Sequence, residues 1–178
     1  MCHVFSSAPS FPLVASIRAG YQLLVSGETQ EVGTHLAQES IQRNVKHFFK
    51  TLTSNSIWDE ATDEGLLSIP LLEDWEQRPF QTHIVPLHTR PRHEQFLFFH
   101  LLLNNMNAYA MAFPVVPKGE SRMRLVFHAH NTLQQCEALA SVICDFAREM
   151  LDIEHGESES TLPSATRQVY AMQAALQT

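Results

Sequence analysis

Lysine is scarce in this 178-residue chain. It occurs three times, at Lys46, Lys50 and Lys118, beside nine arginines, and no run of basic residues forms. Twelve basic against nineteen acidic residues leave a formal net charge of −7. Non-specific nucleic-acid binding draws its affinity from clustered Lys and Arg on phosphates, so no nucleic-acid partner is expected. Cysteine is scarce too: Cys2, Cys136 and Cys144. The last two stand on one predicted helix with Cα atoms ~12 Å apart at 1.5 Å per residue. A disulfide needs less than about 7 Å, so these read as buried thiols of a reducing compartment. Long apolar runs are missing as well. The longest, Phe96 to Leu103, contains His100 and falls far short of the ~20 residues of a membrane span. No basic region precedes an apolar stretch at the N-terminus, so no signal peptide is expected and the cytoplasm is the expected location. Gly-rich phosphate loops, zinc-type spacings, a Gly-x-Ser-x-Gly elbow and a Cys–His nucleophile signature are all absent.

What is present is the composition of a folded chain, 44% apolar and 17% charged, long enough to bury a core without disulfide staples. Leu13, Ile17, Tyr21 and Leu24 recur at 4, 4, 3 and predict an amphipathic helix with Pro12 in its first turn, ending near Gly27. Ala37, Ile41, Val45, Phe48 and Leu52 make one stripe of a second helix, predicted over 31–52. Residues 55–80 lack such a period and read as a long loop with at most one short element, anchored by Trp58 and Trp75. Strands are predicted at 83–87, 109–116 and 122–129, with Pro86 marking an edge or a strand end. A short helix, apolar nearly all round, is predicted over 94–104. Thr132, with Gln135 three residues on, is a capping box opening a helix to about Leu151. A polar linker from His155 to Pro163 leads to a tail helix around 166–176. The expected architecture is α+β, a three-stranded, mainly antiparallel sheet with helices on one face, preceded by two long helices. It divides into 1–54 (the two helices), 55–80 (loop), 81–153 (small α+β domain) and 154–178 (linker and tail helix).

Three features could carry chemistry. Ser6, Ser7 and Ser10 precede a helix, where hydroxyls and free N–H groups can hold an anion or simply cap the helix. Arg122 and Arg124, two apart on a strand, share a face and could fork onto a carboxylate or phosphate, or stand solvated. His128 and His130 could offer two metal ligands, but no third can be named, so no metal site is expected.

Taken in order, these segments resemble the C-terminal part of the α-oxoamine synthases, pyridoxal-phosphate enzymes of fold type I that group with class I/II aminotransferases. Phe5-Ser6-Ser7-Ala8-Pro9-Ser10-Phe11 is similar to the family's Phe-Ser segment before a helix, and His83-Ile84-Val85-Pro86-Leu87 to its short Pro-Ile-Val-Pro strand. Phe113-Pro114-Val115-Val116-Pro117-Lys118-Gly119 resembles its Pro-Pro-x-Val-Pro-x-Gly turn. Arg122-Met123-Arg124, followed by His128-Ala129-His130-Asn131-Thr132, resembles its closing signature, with His128 and Asn131 departing from the usual Ser and His.

The resemblance covers roughly residues 4–152 and is closest to fungal members of polyketide-type secondary metabolism. It implies the small domain of fold type I, with Arg124 holding the amino-acid substrate's carboxylate and Ser7 reaching the cofactor phosphate across a dimer. In the complete enzyme the substrates would be an amino acid and an acyl thioester, and the cofactor pyridoxal phosphate. The family's Schiff-base lysine lies upstream of the Phe-Ser segment, and none of the three lysines here stands in a Ser-Lys context. The chain alone is therefore expected to hold no cofactor covalently and to be inactive. The first two helices, which would bridge to the cofactor domain, are expected to expose apolar surface. That surface invites self-association or binding to a full-length homologue, the second being the alternative role of a non-catalytic interaction protein.

Overall fold

The computed structural model of the chain describes residues 10–26 and 37–176, with side chains in the first segment described to residue 23. The elements run α1 (Phe11–Ser26), α2 (Ala37–Thr53), α3 (Ser56–Asp63), β1 (Leu67–Ser68), a 3-10 turn (Pro70–Leu72), β2 (Ile84–Thr89), α4 (His93–Leu103), β3 (Tyr109–Met111), β4 (Arg122–Val126), α5 (Leu133–Glu154) and α6 (Ser164–Ala175). No helix among the described residues is long and apolar enough to cross a membrane.

The four strands form one antiparallel sheet in the order β1-β2-β4-β3. Alternation sends Val85, Leu87, Met123 and Leu125 into the core, where all four are buried. The opposite residues of the same strands, Ile84, Pro86, His88, Arg122, Arg124 and Val126, make an outer face that is exposed or half-buried. Among the described residues, helices therefore cover one side only, giving a two-layer α+β sandwich.

The expected three strands become four among the described residues. The extra one, β1, has two residues, too few for an alternating pattern to show. The expected loop over 55–80 also holds α3, whose N-cap Asn55 accepts a hydrogen bond from the Ile57 N–H and whose Trp58 and Ala61 are buried. Eight residues give a 3.6-residue period barely two turns in which to declare itself.

β3 stops at Met111 rather than running to Val116. Pro114 has no N–H to give a ladder, and the Val115 and Val116 N–H groups turn back to the Ala112 carbonyl, at 3.0 and 3.4 Å. β4 ends at Val126 rather than Ala129, because a turn follows in which the Asn131 Oδ1 accepts from the His128 N–H at 2.7 Å.

Pro86 lies inside β2, a strand with neighbours on both sides. Its tolerance follows from the register. The Phe127 N–H donates to the His83 carbonyl at 2.8 Å, so 83, 85 and 87 exchange bonds with β4 while 84, 86 and 88 face the other way. On that side β1 reaches only His88 and Thr89, so the missing N–H of Pro86 faces an open edge.

The expectation that both leading helices lack a surface to pack on is corrected for the second. α2 lies along α5 with Val45, Phe48, Phe49 and Leu52 fully buried, and its Phe48 ring meets Phe127 at 5.1 Å. The first part of its predicted span, 31–36, falls outside the described residues. α1 does leave its stripe open: Phe11, Leu13, Ile17 and Tyr21 are all exposed.

Both bonds of the Thr132–Gln135 capping box form. α4 is apolar all round because it sits between the sheet, α5 and α6. Phe99 meets Tyr170 edge-on at 6.2 Å, and the buried His100 hydrogen-bonds through Nε2 to the Val142 carbonyl at 3.1 Å. Burial, which penalises the imidazolium, lowers the pKa of His100 from its ordinary 6.5 against the opposing pull of Glu149, the Val142 carbonyl and Asp145. Burial lowers His88 and His93 as well.

The unfolded chain thus binds more protons than the folded one just below pH 6.5, and stability falls as pH drops through that value toward the lowered folded pKa. His100→Gln keeps a donor for the Val142 carbonyl and removes the titration. Its urea midpoint is expected to change less between pH 7 and pH 5 than that of the parent chain.

Candidate functional site

The outer face of the sheet gathers the candidate residues into two cross-strand rows. Pro86, Arg124 and Tyr109 lie opposite one another in the first; His88, Arg122 and Met111 in the second. The alternation that buries Met123 and Leu125 forces both arginines onto this face.

Arg124 is exposed, and its guanidinium carbon stands 5.8 Å from the centre of the Tyr109 ring. That contact holds the planar cation by a cation–π interaction while leaving its N–H fork available. Neither Arg122 nor Arg124 forms an ion pair or hydrogen bond with a side chain among the described residues. An unpaired guanidinium on a fixed strand, with a second two residues away, suits bidentate capture of a carboxylate. His88 lies beside Arg122. Burial first and the Arg122 charge second lower its pKa, with Glu120 opposing, so the neutral imidazole is favoured there.

Beyond the end of β4 the rings of His128 and His130 stack, with centroids 5.3 Å apart and planes 17° from parallel. Among the described residues, three potential metal ligands come together elsewhere, at the exposed Glu60, Glu64 and His155, where His155 Nε2 lies 3.0 Å from Glu64 Oε1 and Arg90 pairs with the neighbouring Glu154.

The turn carrying His128 is tied to the helical layer by Asn44. Its buried side chain donates through Nδ2 to the carbonyls of His128 at 3.1 Å and Asn131 at 2.8 Å. Sequence reasoning passed over Asn44 and Tyr109. Asn44 breaks the apolar face of α2 as one polar residue, and the Tyr109–Arg124 contact exists only through the strand register. Ser7 lies outside the described residues.

The three lysines are dispersed. Lys46 and Lys50 ride on α2 in the helical layer. Lys118 lies in the β3–β4 connection with Nζ 5.2 Å from the centre of the Phe113 ring. A pyridoxal-phosphate site needs an amine, an acid for the ring nitrogen and a set of phosphate donors. Of such a set the described residues bring together only the two arginines of the outer sheet face, so they do not by themselves fit the cofactor.

With this geometry in hand, the chain can be set beside known proteins. No family model matches it. It is 49% identical over 172 residues to an aminoacyl transferase, sphA, of Aspergillus fumigatus, a match covering 97% of this chain and 36% of that protein. A protein of the same name from Byssochlamys spectabilis is 44% identical over 170 residues, covering 96% of this chain and 35% of that one. The 8-amino-7-oxononanoate synthase of Emericella nidulans is 26% identical over 147 residues, covering 83% and 31%. The chain is thus similar in sequence to two fungal aminoacyl transferases and, at lower identity, to a fungal 8-amino-7-oxononanoate synthase. It spans about a third of the length of the relatives it matches.

Proposed function

We propose that this chain is the small-domain portion of a pyridoxal-phosphate-dependent aminoacyl transferase of the oxoamine synthase type, acting in the making of a fungal secondary metabolite. Its part in that reaction is to hold the amino-acid substrate. The observation that carries the reading is Arg124, unpaired among the described residues, steadied by Tyr109 and displayed on the face of the sheet that no described helix covers.

In the complete enzyme the cofactor would supply the electron sink for chemistry at the amino acid's α-carbon, and an acyl thioester would be the second substrate. Arg124 takes the carboxylate through two N–H groups and fixes the orientation of the α-carbon. Tyr109 limits the rotamers of that side chain, and Arg122 adds positive potential that draws the anion in. Ser7 is assigned to the cofactor phosphate on the resemblance alone.

A second reading rests on α1. Phe11, Leu13, Ile17 and Tyr21 form an exposed apolar stripe of the kind that a second copy or a full-length homologue would cover. On that reading the chain associates without catalysing.

Transplanting residues 10–176 into the matching segment of the Aspergillus fumigatus relative separates the two. The first reading expects the hybrid to keep aminoacyl transfer within about tenfold of the parent, since each 1.4 kcal/mol lost in the barrier costs a factor of ten. A hybrid that folds and assembles but has no activity supports the second.

A further inference from the structure

We propose that the recess at the open end of β4 binds an uncharged secondary amide. The site is distinct from the arginine face and does not rest on the function proposed above.

The recess is a cavity of about 460 Å³ between the α4–β3 connection, the end of β4 and the first turns of α5. Its size lies in the range of small-molecule sites. Its floor includes the buried Phe127 and Cys136, with Leu139 beside them, and its rim carries Asn105, Asn107 and Gln135. Among the described residues no Asp, Glu, Lys or Arg lines it, and its one basic side chain is the imidazole of His128. A charged ligand entering would lose water without gaining a permanent counter-charge, which favours a neutral occupant.

The main chain supplies the specific feature. β3 pairs only with Arg122 to Arg124, whereas β4 runs on to Val126. Because Phe127 bonds to His83 on the β2 side, alternation turns the N–H and C=O of Val126 toward the β3 side, where no strand residue remains to meet them. Val126 lines the cavity. No hydrogen bond outside the sheet ladders reaches its main chain from the described residues. A donor and an acceptor of one residue, facing a recess with an apolar floor, form the half-site of an added strand. A secondary amide carries the complementary N–H and C=O, and the amide side chains of the rim can donate and accept toward its flanks.

The test is titration of the full chain with N-acetyl-leucine N-methylamide, followed by ¹⁵N–¹H spectra. Saturable shifts are expected at the Val126 N–H and at the side-chain amides of Asn105, Asn107 and Gln135. Val126→Pro removes the N–H from a position whose β2 ladder does not use it, and is expected to weaken binding about tenfold.

A ligand control covers failure of that variant to fold. The dimethylamide of N-acetyl-N-methyl-leucine has the same skeleton without an N–H, and is expected to lose binding to the unaltered chain by a similar factor. A capped tripeptide identifies the source of the amide: tighter binding points to a peptide segment, equal binding to a free amide, and both support the site. Absence of saturable shifts up to about 10 mM, the range of a contact worth under 3 kcal/mol, overturns the proposal. So do shifts centred away from Val126, or undiminished binding of the ligand without an N–H.

Discussion

Replacing Asn44 with alanine is expected to destabilise the chain by about 2–4 kcal/mol, more than any change at its surface ion pairs. Asn44 is fully buried on α2, and one amide group serves two carbonyls of the β4–α5 turn, those of His128 and Asn131. Removing it strips both carbonyls of a donor at a partly buried site, and leaves a void between α2 and the turn. At about 2–4 °C per kcal/mol for a domain of this size, the midpoint of thermal unfolding should fall by roughly 5–15 °C. Glu137→Ala provides the contrast. The His47–Glu137 pair joins α2 to α5 at 2.7 Å, but Glu137 is half-exposed and His47 is partly exposed, so its loss is expected to cost under about 1 kcal/mol. Urea unfolding followed by Trp58 and Trp75 fluorescence measures both. Equal midpoints for the two variants would show that the turn does not depend on Asn44.

How far the molecule could be read from its residues varies with the range of the interaction. Local rules worked well. Thr132 and Gln135 announced their capping box, the 4, 4, 3, 4 stripe marked α2, and the period of two placed Arg122 and Arg124 on one face before any strand partner was known. Short elements escaped, because two residues of β1 and eight of α3 contain too little pattern to distinguish them from loop. The length of β3 was overread, since the apolar Val115 and Val116 continued the pattern past a proline that ended the ladder. Pairwise consequences of folding stayed hidden. Tyr109 under Arg124, Asn44 beneath the β4–α5 turn and the uncovered main chain of Val126 all arise from strand register or helix packing, which link residues 15 to 87 positions apart in sequence. The exposed apolar stripe of α1 was legible. Its period states that the face is apolar, while what covers it cannot be read from a periodicity.

Arg124 carries the other large effect. Within the hybrid enzyme, Arg124→Ala is expected to lower kcat/KM for the amino acid by about 10²-fold or more, because two charge-assisted hydrogen bonds to a carboxylate are lost together. Lysine should restore little, since a single ammonium cannot reproduce the planar fork or its stacking on Tyr109. Tyr109→Leu should cost less, as it loosens the guanidinium without removing it, and Arg122→Ala should weaken capture of the anion without abolishing orientation. The measurement that bears most directly on the account is therefore the pair of kcat/KM values for the Arg124→Ala and Arg122→Ala hybrids at saturating acyl donor. A loss of about a hundredfold at Arg124, with at most about tenfold at Arg122, is the result predicted. An Arg124→Ala hybrid that keeps its parent's kcat/KM would contradict the assignment of this face to the substrate carboxylate.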